Sequence, residues 1–163
     1  MLKRHLIITF ILLSVTSPIG FTSEKQAPNS VLQVLDQYLA AWKTRDLTQI
    51  GKLYADDVSV FDLPSDTLIS GKENVLKFEE EVWLANAPDM VWVRTSQPLA
   101  SGNSVTYEWI YAGTYSGAWG DIQIENRPFS VKGISTTTIN DEGKIIMQRD
   151  FYDLKSFERE LGL

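Results

Sequence analysis

From residue 31 onward the apolar side chains recur at helical spacing. Val31, Leu35, Tyr38 and Trp42 share one face, with Leu32 and Leu39 beside them. The pattern predicts an amphipathic helix that starts at a Ser30 cap and ends near Thr44-Arg45. Asp46 caps a second predicted helix through Leu47, Ile50, Leu53 and Tyr54, which Asp56-Asp57 stops. Residues 58–63 alternate as a short strand, and Pro64-Ser65-Asp66 turns the chain. Val75, Phe78, Val82 and Trp83 form the apolar side of a third helix over about residues 72–85.

Beyond Pro88 the period changes from helical to two. Residues 90–96 alternate, and Gly102-Asn103 marks a turn. Residues 104–115 form a long strand with Val105, Tyr107, Trp109, Tyr111 and Tyr115 on one face. Residues 116–126 are a glycine-bearing loop or hairpin tip, and 127–139 a strand rich in Thr and Ser. Asn140-Asp141-Glu142-Gly143 is a turn signal. The strand after it puts Ile146, Gln148, Asp150 and Tyr152 on one face and Ile145, Met147, Arg149 and Phe151 on the other. Residues 154–161 make a last short helix. Helices first and an antiparallel meander afterwards predict an α+β domain.

The chain before this domain has a different character. Lys3, Arg4 and His5 precede a short apolar run over residues 6–15, and small and breaker residues follow. This is the pattern of a secretory signal peptide over residues 1–22, with a polar linker over 23–29 and the domain over 30–163. The run is short for a membrane span and Pro18 interrupts it. The expected location is therefore exported, periplasmic or secreted, with no stable membrane insertion after cleavage. Loss of Lys3 and Arg4 takes the basic count from 15 to 13 against 21 acidic residues, a net charge of −8. Such a surface argues against nucleic acid as a partner.

Composition narrows the chemistry further. The chain has no cysteine, and its one histidine, His5, lies in the predicted signal peptide. Ser-His-Asp and Cys-His catalysis and His-ligated zinc are excluded from the mature domain. Acid–base work falls to Asp, Glu, Tyr, Lys or Arg. Asp62 alternates with Val58 and Val60, which sides it with the interior; facing out, it would be a strand-end turn residue. Asp150 stands where alternation expects a partly buried side chain. It is either an acid–base group accompanied by Gln148 and Tyr152 or a partner of Arg94, Lys132 or Arg149. Ser135 and Thr137 share a strand face with Gly133, and small polar groups on a concave face suit ligand contact. Trp42, Trp109 and Trp119 either line a pocket or fill the core. Asp56-Asp57 lacks the further oxygen ligands that calcium requires, so no metal and no organic cofactor is expected.

Two stretches resemble a known superfamily. Residues 38–50, Tyr-Leu-Ala-Ala-Trp-Lys-Thr-Arg-Asp-Leu-Thr-Gln-Ile, continuing through Phe61-Asp62, resemble the opening of ketosteroid isomerases. Residues 113–117, Gly-Thr-Tyr-Ser-Gly, with Asp141-Glu142-Gly143-Lys144-Ile145, Tyr152-Asp153 and Leu161-Gly162, resemble the SnoaL-like polyketide cyclases. Both belong to the nuclear transport factor 2-like superfamily. The resemblance implies a cone, in which a bent antiparallel sheet wraps the N-terminal helices around an apolar pocket. It also implies possible homodimers through the sheet.

By the same resemblance, Tyr38 matches the isomerases' oxyanion donor and Asp62 their proton carrier, while Ser135 stands where they keep a protonated aspartate. Asp150 lies in the region of the cyclases' acid–base aspartate. Tyr115 replaces a frequent histidine, and Ile124-Glu125-Asn126 a usual Pro-Thr-Gly turn. The catalytic candidates are Tyr38, Asp62 and Asp150. The ligand-contact candidates are Trp42, Trp109, Tyr115, Ser135, Gln148 and Tyr152. The expected activity is isomerase- or cyclase-like chemistry on a small apolar molecule, with or without a carbonyl, and a non-catalytic ligand-binding or dimerisation module is the alternative.

Overall fold

The computed structural model describes residues 30–163; the predicted signal peptide and linker lie outside the described residues. Helix α1, Val31–Thr44, begins where Ser30 accepts a hydrogen bond from the Gln33 amide while Gln33 reaches back to the Ser30 amide. That reciprocal pair satisfies two of the donors a helix start leaves open. Arg45, at φ 55°, ends it in the left-handed region. Helix α2, Leu47–Leu53, is capped by the Asp46 carboxylate, which accepts from the Thr48 and Gln49 amides.

Here the sequence pattern and the structure part. The second helix was expected to run through Tyr54 to Asp56-Asp57. Instead strand β1, Tyr54–Asp62, starts at Tyr54, because a parallel ladder with the last strand and burial of the Tyr54 ring override the helical spacing. The Pro64 turn returns the chain as strand β2, Thr67–Ser70, antiparallel to β1 and absent from the sequence reading. Helix α3, Lys72–Phe78, continues into a π-helical segment, Glu79–Leu84, in which the Ala85 amide reaches the Glu80 carbonyl.

Five strands follow: β3, Val91–Arg94; β4, Leu99–Ser101; β5, Ser104–Trp119; β6, Ile122–Ile139; and β7, Ile145–Tyr152. Helix α4, Leu154–Leu161, ends the domain. The sheet order is β2-β1-β7-β6-β5-β3, with β4 beside β5. All pairs are antiparallel except β1 with β7. The sheet is therefore mixed rather than antiparallel throughout, since β1 enters beside a strand that follows it by most of the domain.

The expected loop over residues 116–126 is largely ladder. Trp119 pairs with Ile122 across Gly120-Asp121, and Gly120 takes the positive φ that this two-residue tip requires. A second irregularity, where β6 and β7 pass from the Thr138–Met147 pair to the Ile139–Ile145 pair, changes the alternation of β7. Ile145 is buried in place of Ile146, and Gln148, Asp150 and Tyr152 then face inward.

The core lies between α1 and the concave face of the sheet, around Val34, Leu35, Tyr38, Val58, Val105, Tyr107 and Ile145. The wide end is closed by α4. Its fully buried Phe157 stacks among Tyr111, Tyr115, Trp119, Phe129 and Tyr152. The outer face leaves Val91, Val93 and Ile134 exposed.

Candidate active site

A cavity of about 70 Å³ opens between α1, the π-helical segment and the concave sheet. Tyr38 and Trp42 reach it from α1, and Val60 and Asp62 from β1. Phe78, Glu79 and Trp83 come from α3 and the π-helical segment, and Met90 and Trp92 from the β3 region. Trp109 and Tyr111 of β5, Val131 of β6, Gln148, Asp150 and Tyr152 of β7, and Phe157 of α4 complete the wall. Among the described residues, no lining side chain is basic.

Asp150 sits at the centre of a directional network. Its Oδ1 accepts from Ser135 Oγ at 2.5 Å and from Gln148 Nε2 at 2.7 Å. Behind these, Trp109 Nε1 donates to Ser135 Oγ at 2.6 Å, and Thr137 Oγ1 to Gln148 Oε1 at 2.6 Å. These bonds favour the charged carboxylate. Burial opposes them and wins, with the Asp62 charge adding, so the Asp150 pKa rises to about 6. Arg94, one of its predicted partners, instead pairs with Asp36. Ser135 is fully buried behind Asp150 and does not line the cavity. Its place is to orient the carboxylate rather than to touch a ligand.

Asp62 and Asp150 are direct neighbours in the parallel β1–β7 ladder. Asp62 Oδ2 accepts from the Ser65 amide and hydroxyl and from Tyr152 at 3.4 Å, while its Oδ1, also buried, has no partner. The two carboxylates thus line one wall side by side.

The other side holds a chain that spacing did not show. Tyr38 and Tyr54 share a hydrogen bond at 2.8 Å, and the Tyr54 hydroxyl donates to Glu79 Oε1. Glu79 is 3% exposed, and its Oε2 has no partner. Burial, with the Asp150 charge adding and the Tyr54 bond opposing, lifts its pKa to about 8. Burial likewise holds Tyr38 and Tyr54 well above the ordinary phenol range, so both are neutral donors. The run Glu79-Glu80-Glu81 reads as a solvated face. Yet Glu79 stands four residues from both Val75 and Trp83, inside their apolar stripe, and that position was the available signal.

The aromatic candidates divide. Trp42 and Trp109 line the cavity, as does the unforeseen Trp92. Tyr38, Trp42 and Trp92 stand mutually perpendicular, at 89°, 86° and 88°, with centroids 6.3, 5.7 and 5.8 Å apart. Trp42 Nε1 is buried without a partner. Tyr115 does not reach the cavity. Its hydroxyl donates to the Ala118 carbonyl at 2.9 Å, and its ring packs on Trp119 and Phe157. Bending of the β5–β6 hairpin at the Tyr115–Gly117 register shift carries it toward the α4 end.

Trp109 lies directly across the ladder from Gly133, where a Cβ would strike the indole and, at 2.6 Å, the Phe151 carbonyl. Gly133→Ala is expected to lower stability by about 1–3 kcal/mol and to displace the cavity wall. Urea unfolding and the near-ultraviolet tryptophan dichroism test this, and an unchanged spectrum would refute it.

A bent sheet closed on an N-terminal helix is the nuclear transport factor 2-like, ketosteroid isomerase-like fold. The chain belongs to the SnoaL-like polyketide cyclase family, matched over residues 32–161. Solved structures that carry the same fold include three of interest here. One is a protein of ketosteroid isomerase-like fold from Catenulispora acidiphila, in complex with trimethylamine. It is 24% identical, covers 80% of this chain and 93% of its own, and has a TM-score of 0.67. A protein from Shewanella denitrificans, assigned to the SnoaL-like polyketide cyclases, is 16% identical over 81% and 96% of the chains, with a TM-score of 0.71. TerC, co-crystallised with polyporic acid, is 14% identical over 82% and 98%, with a TM-score of 0.67. Among curated proteins none matches.

Proposed function

We propose that this domain binds a small, largely apolar molecule in the cone and moves a proton on it, in the manner of an isomerase or cyclase. The observation that carries this reading is the separation of two carboxyl groups that line one cavity, Glu79 buried and Asp150 half-buried. With pKa values of about 6 and about 8, Asp150 is mostly ionised and Glu79 mostly protonated at neutral pH. One cavity thus holds a base and an acid in the states each needs, which is how paired carboxyls divide acid–base roles. Asp150 takes a proton from carbon beside a carbonyl. The carbonyl oxygen is met by the unpartnered Glu79 Oε2, which carries the acid proton, while Tyr38 donates to Tyr54 and Tyr54 to Glu79, holding that acid in place. Asp62, beside Asp150, repels its charge and keeps it basic.

Cavity size bears on the ligand. A volume of about 70 Å³ is well below the several hundred Å³ that drug-sized ligands usually occupy. A single ring or a head group of a few heavy atoms fits. The complexes of the neighbours with trimethylamine and with polyporic acid support small-molecule binding as the coarse reading.

The test is to extract and identify the molecule that co-purifies with the protein and return it to the protein in D₂O. Saturable incorporation of deuterium is expected, with a bell-shaped pH profile whose limbs fall near 6 and 8. Binding without exchange would leave a non-catalytic binding module. Export through residues 1–22 belongs to the same proposal and is tested by the N-terminus of the protein recovered from the periplasm. A homodimer through the outer sheet face is favoured by exposed Val91, Val93 and Ile134, and sedimentation equilibrium decides it.

A further inference from the structure

The electrostatics of the cavity bear on the charge of what it holds. Three carboxyl groups line it, Asp62, Glu79 and Asp150, and among the described residues no lysine, arginine or histidine does. For Glu79 and Asp150 the only charge effects are repulsive ones from other carboxylates, Asp150 on Glu79 and Asp62 on Asp150. Every described cation with an ion pair is spent elsewhere: Lys72 on Asp56, Lys77 on Glu81, Arg94 on Asp36, Lys155 on Glu158 and Arg159 on Asp153. Buried carboxylates without a counter-ion are costly to keep charged. Two of the buried atoms without a partner, Asp62 Oδ1 and Glu79 Oε2, are carboxyl oxygens on lining residues.

The aromatic wall is independent of that argument. Tyr38, Trp42 and Trp92 are mutually perpendicular, with centroids 5.7–6.3 Å apart. All three rings line the cavity in edge-to-face pairs, and an aromatic face within about 6 Å of a cation attracts it. Trimethylated ammonium groups are recognised by such cages because their charge is spread over methyl groups and asks for no hydrogen bond. The cavity's volume also suits a head of that size.

We propose that the molecule bound here carries a small alkylammonium head, seated in the corner of Tyr38, Trp42 and Trp92 and balanced by the carboxylates of Asp62 and Asp150. This rests on the reading that the cone is the ligand site and adds the charge and class of the ligand. The groups that face Asp150 are Asp62 from β1, Glu79 from the π-helical segment, Tyr38 from α1, Tyr107 from β5, and Gln148 and Tyr152 from β7. None of them supplies positive charge.

The experiment compares choline with 3,3-dimethyl-1-butanol, which replaces the nitrogen by carbon, on the full chain by calorimetry and tryptophan fluorescence. Choline is expected to bind saturably and at least tenfold more tightly than its neutral isostere. Its affinity should rise about tenfold from pH 5 to 7.5, because Asp150 balances it only when ionised and that form goes from a minor to the major species. Trp92→Leu, which keeps apolar volume but removes a ring face, should weaken choline at least tenfold and leave the isostere within twofold. If that variant misfolds by circular dichroism, the wild-type pH dependence still decides. Equal binding of both probes, or choline affinity flat or falling toward pH 7.5, overturns the ammonium head while leaving a site for neutral ligands. No binding of either probe, with deuterium exchange into the co-purified molecule intact, overturns it while the proton-transfer reading stands. Choline binding with no exchange supports the ammonium head and removes the catalytic reading instead.

Discussion

Asp150→Asn is expected to slow deuterium exchange into the bound molecule by about 10²–10⁴-fold, the usual contribution of a positioned general base. Asparagine keeps the shape of the side chain and an oxygen for the Ser135 and Gln148 donors, so the network survives while the base is lost. Burial raises the Asp150 pKa to about 6, so removal of its charge should leave the protein at least as stable above that pH. Nuclear magnetic resonance of the ligand in D₂O reads the rate, and circular dichroism confirms the fold. A rate within threefold of wild type would sink the assignment. Loss of exchange in Asp62→Asn but not in Asp150→Asn would move the base to the neighbouring strand.

Glu79→Gln is expected to change the response of stability to pH more than any other single substitution. An unfolded glutamate releases its proton near 4.5, whereas burial holds the proton in the folded protein to about 8. Between those values the native state binds more protons than the unfolded one. Stability therefore falls as pH rises through that window. From pH 5 to 8 the loss attributable to Glu79 is about 3 kcal/mol, and Asp150, also raised, adds to it in the same direction. Glutamine imitates the neutral acid, placing a carbonyl oxygen under the Tyr54 hydroxyl and an N–H where the acid proton stood. The variant should match wild type at pH 5 and exceed it by about 3 kcal/mol at pH 8. Urea unfolding at both pH values measures this, and parallel pH curves for the two proteins would refute a buried, protonated Glu79.

These two residues also mark how far the site can be read from residue order. Asp150 stood out because a carboxylate fell on an apolar alternation, and Asp62 for the same reason; both line the cavity. Glu79 did not, because two further glutamates follow it and a straight helix makes the run look solvated. Its spacing of four from Val75 and Trp83 pointed inward, but the run of charge masked that signal, and the π-helical turn that begins at Glu79 is not written in the spacing. Tyr115 erred the other way. It shares the face of Tyr107, Trp109 and Tyr111, but the bulge at Tyr115–Gly117 turns the hairpin's end toward α4. Ser135 was placed on the right face yet one layer too near the ligand, since only the register with Asp150 shows it lying behind the carboxylate.

Periodicity by itself determined the α+β class, the α1 helix with its cap and the two long strands. Each of these depends on which side of one element is apolar, a property that neighbouring residues encode locally. Tertiary structure alone decided that β1 lies parallel to β7, that Tyr54 begins a strand, and that Tyr38, Tyr54 and Glu79 form one chain opposite the paired aspartates. Those facts depend on contacts between residues far apart in sequence, where the free energy of burying rings and pairing backbone across the sheet outweighs the weaker preference of any short segment.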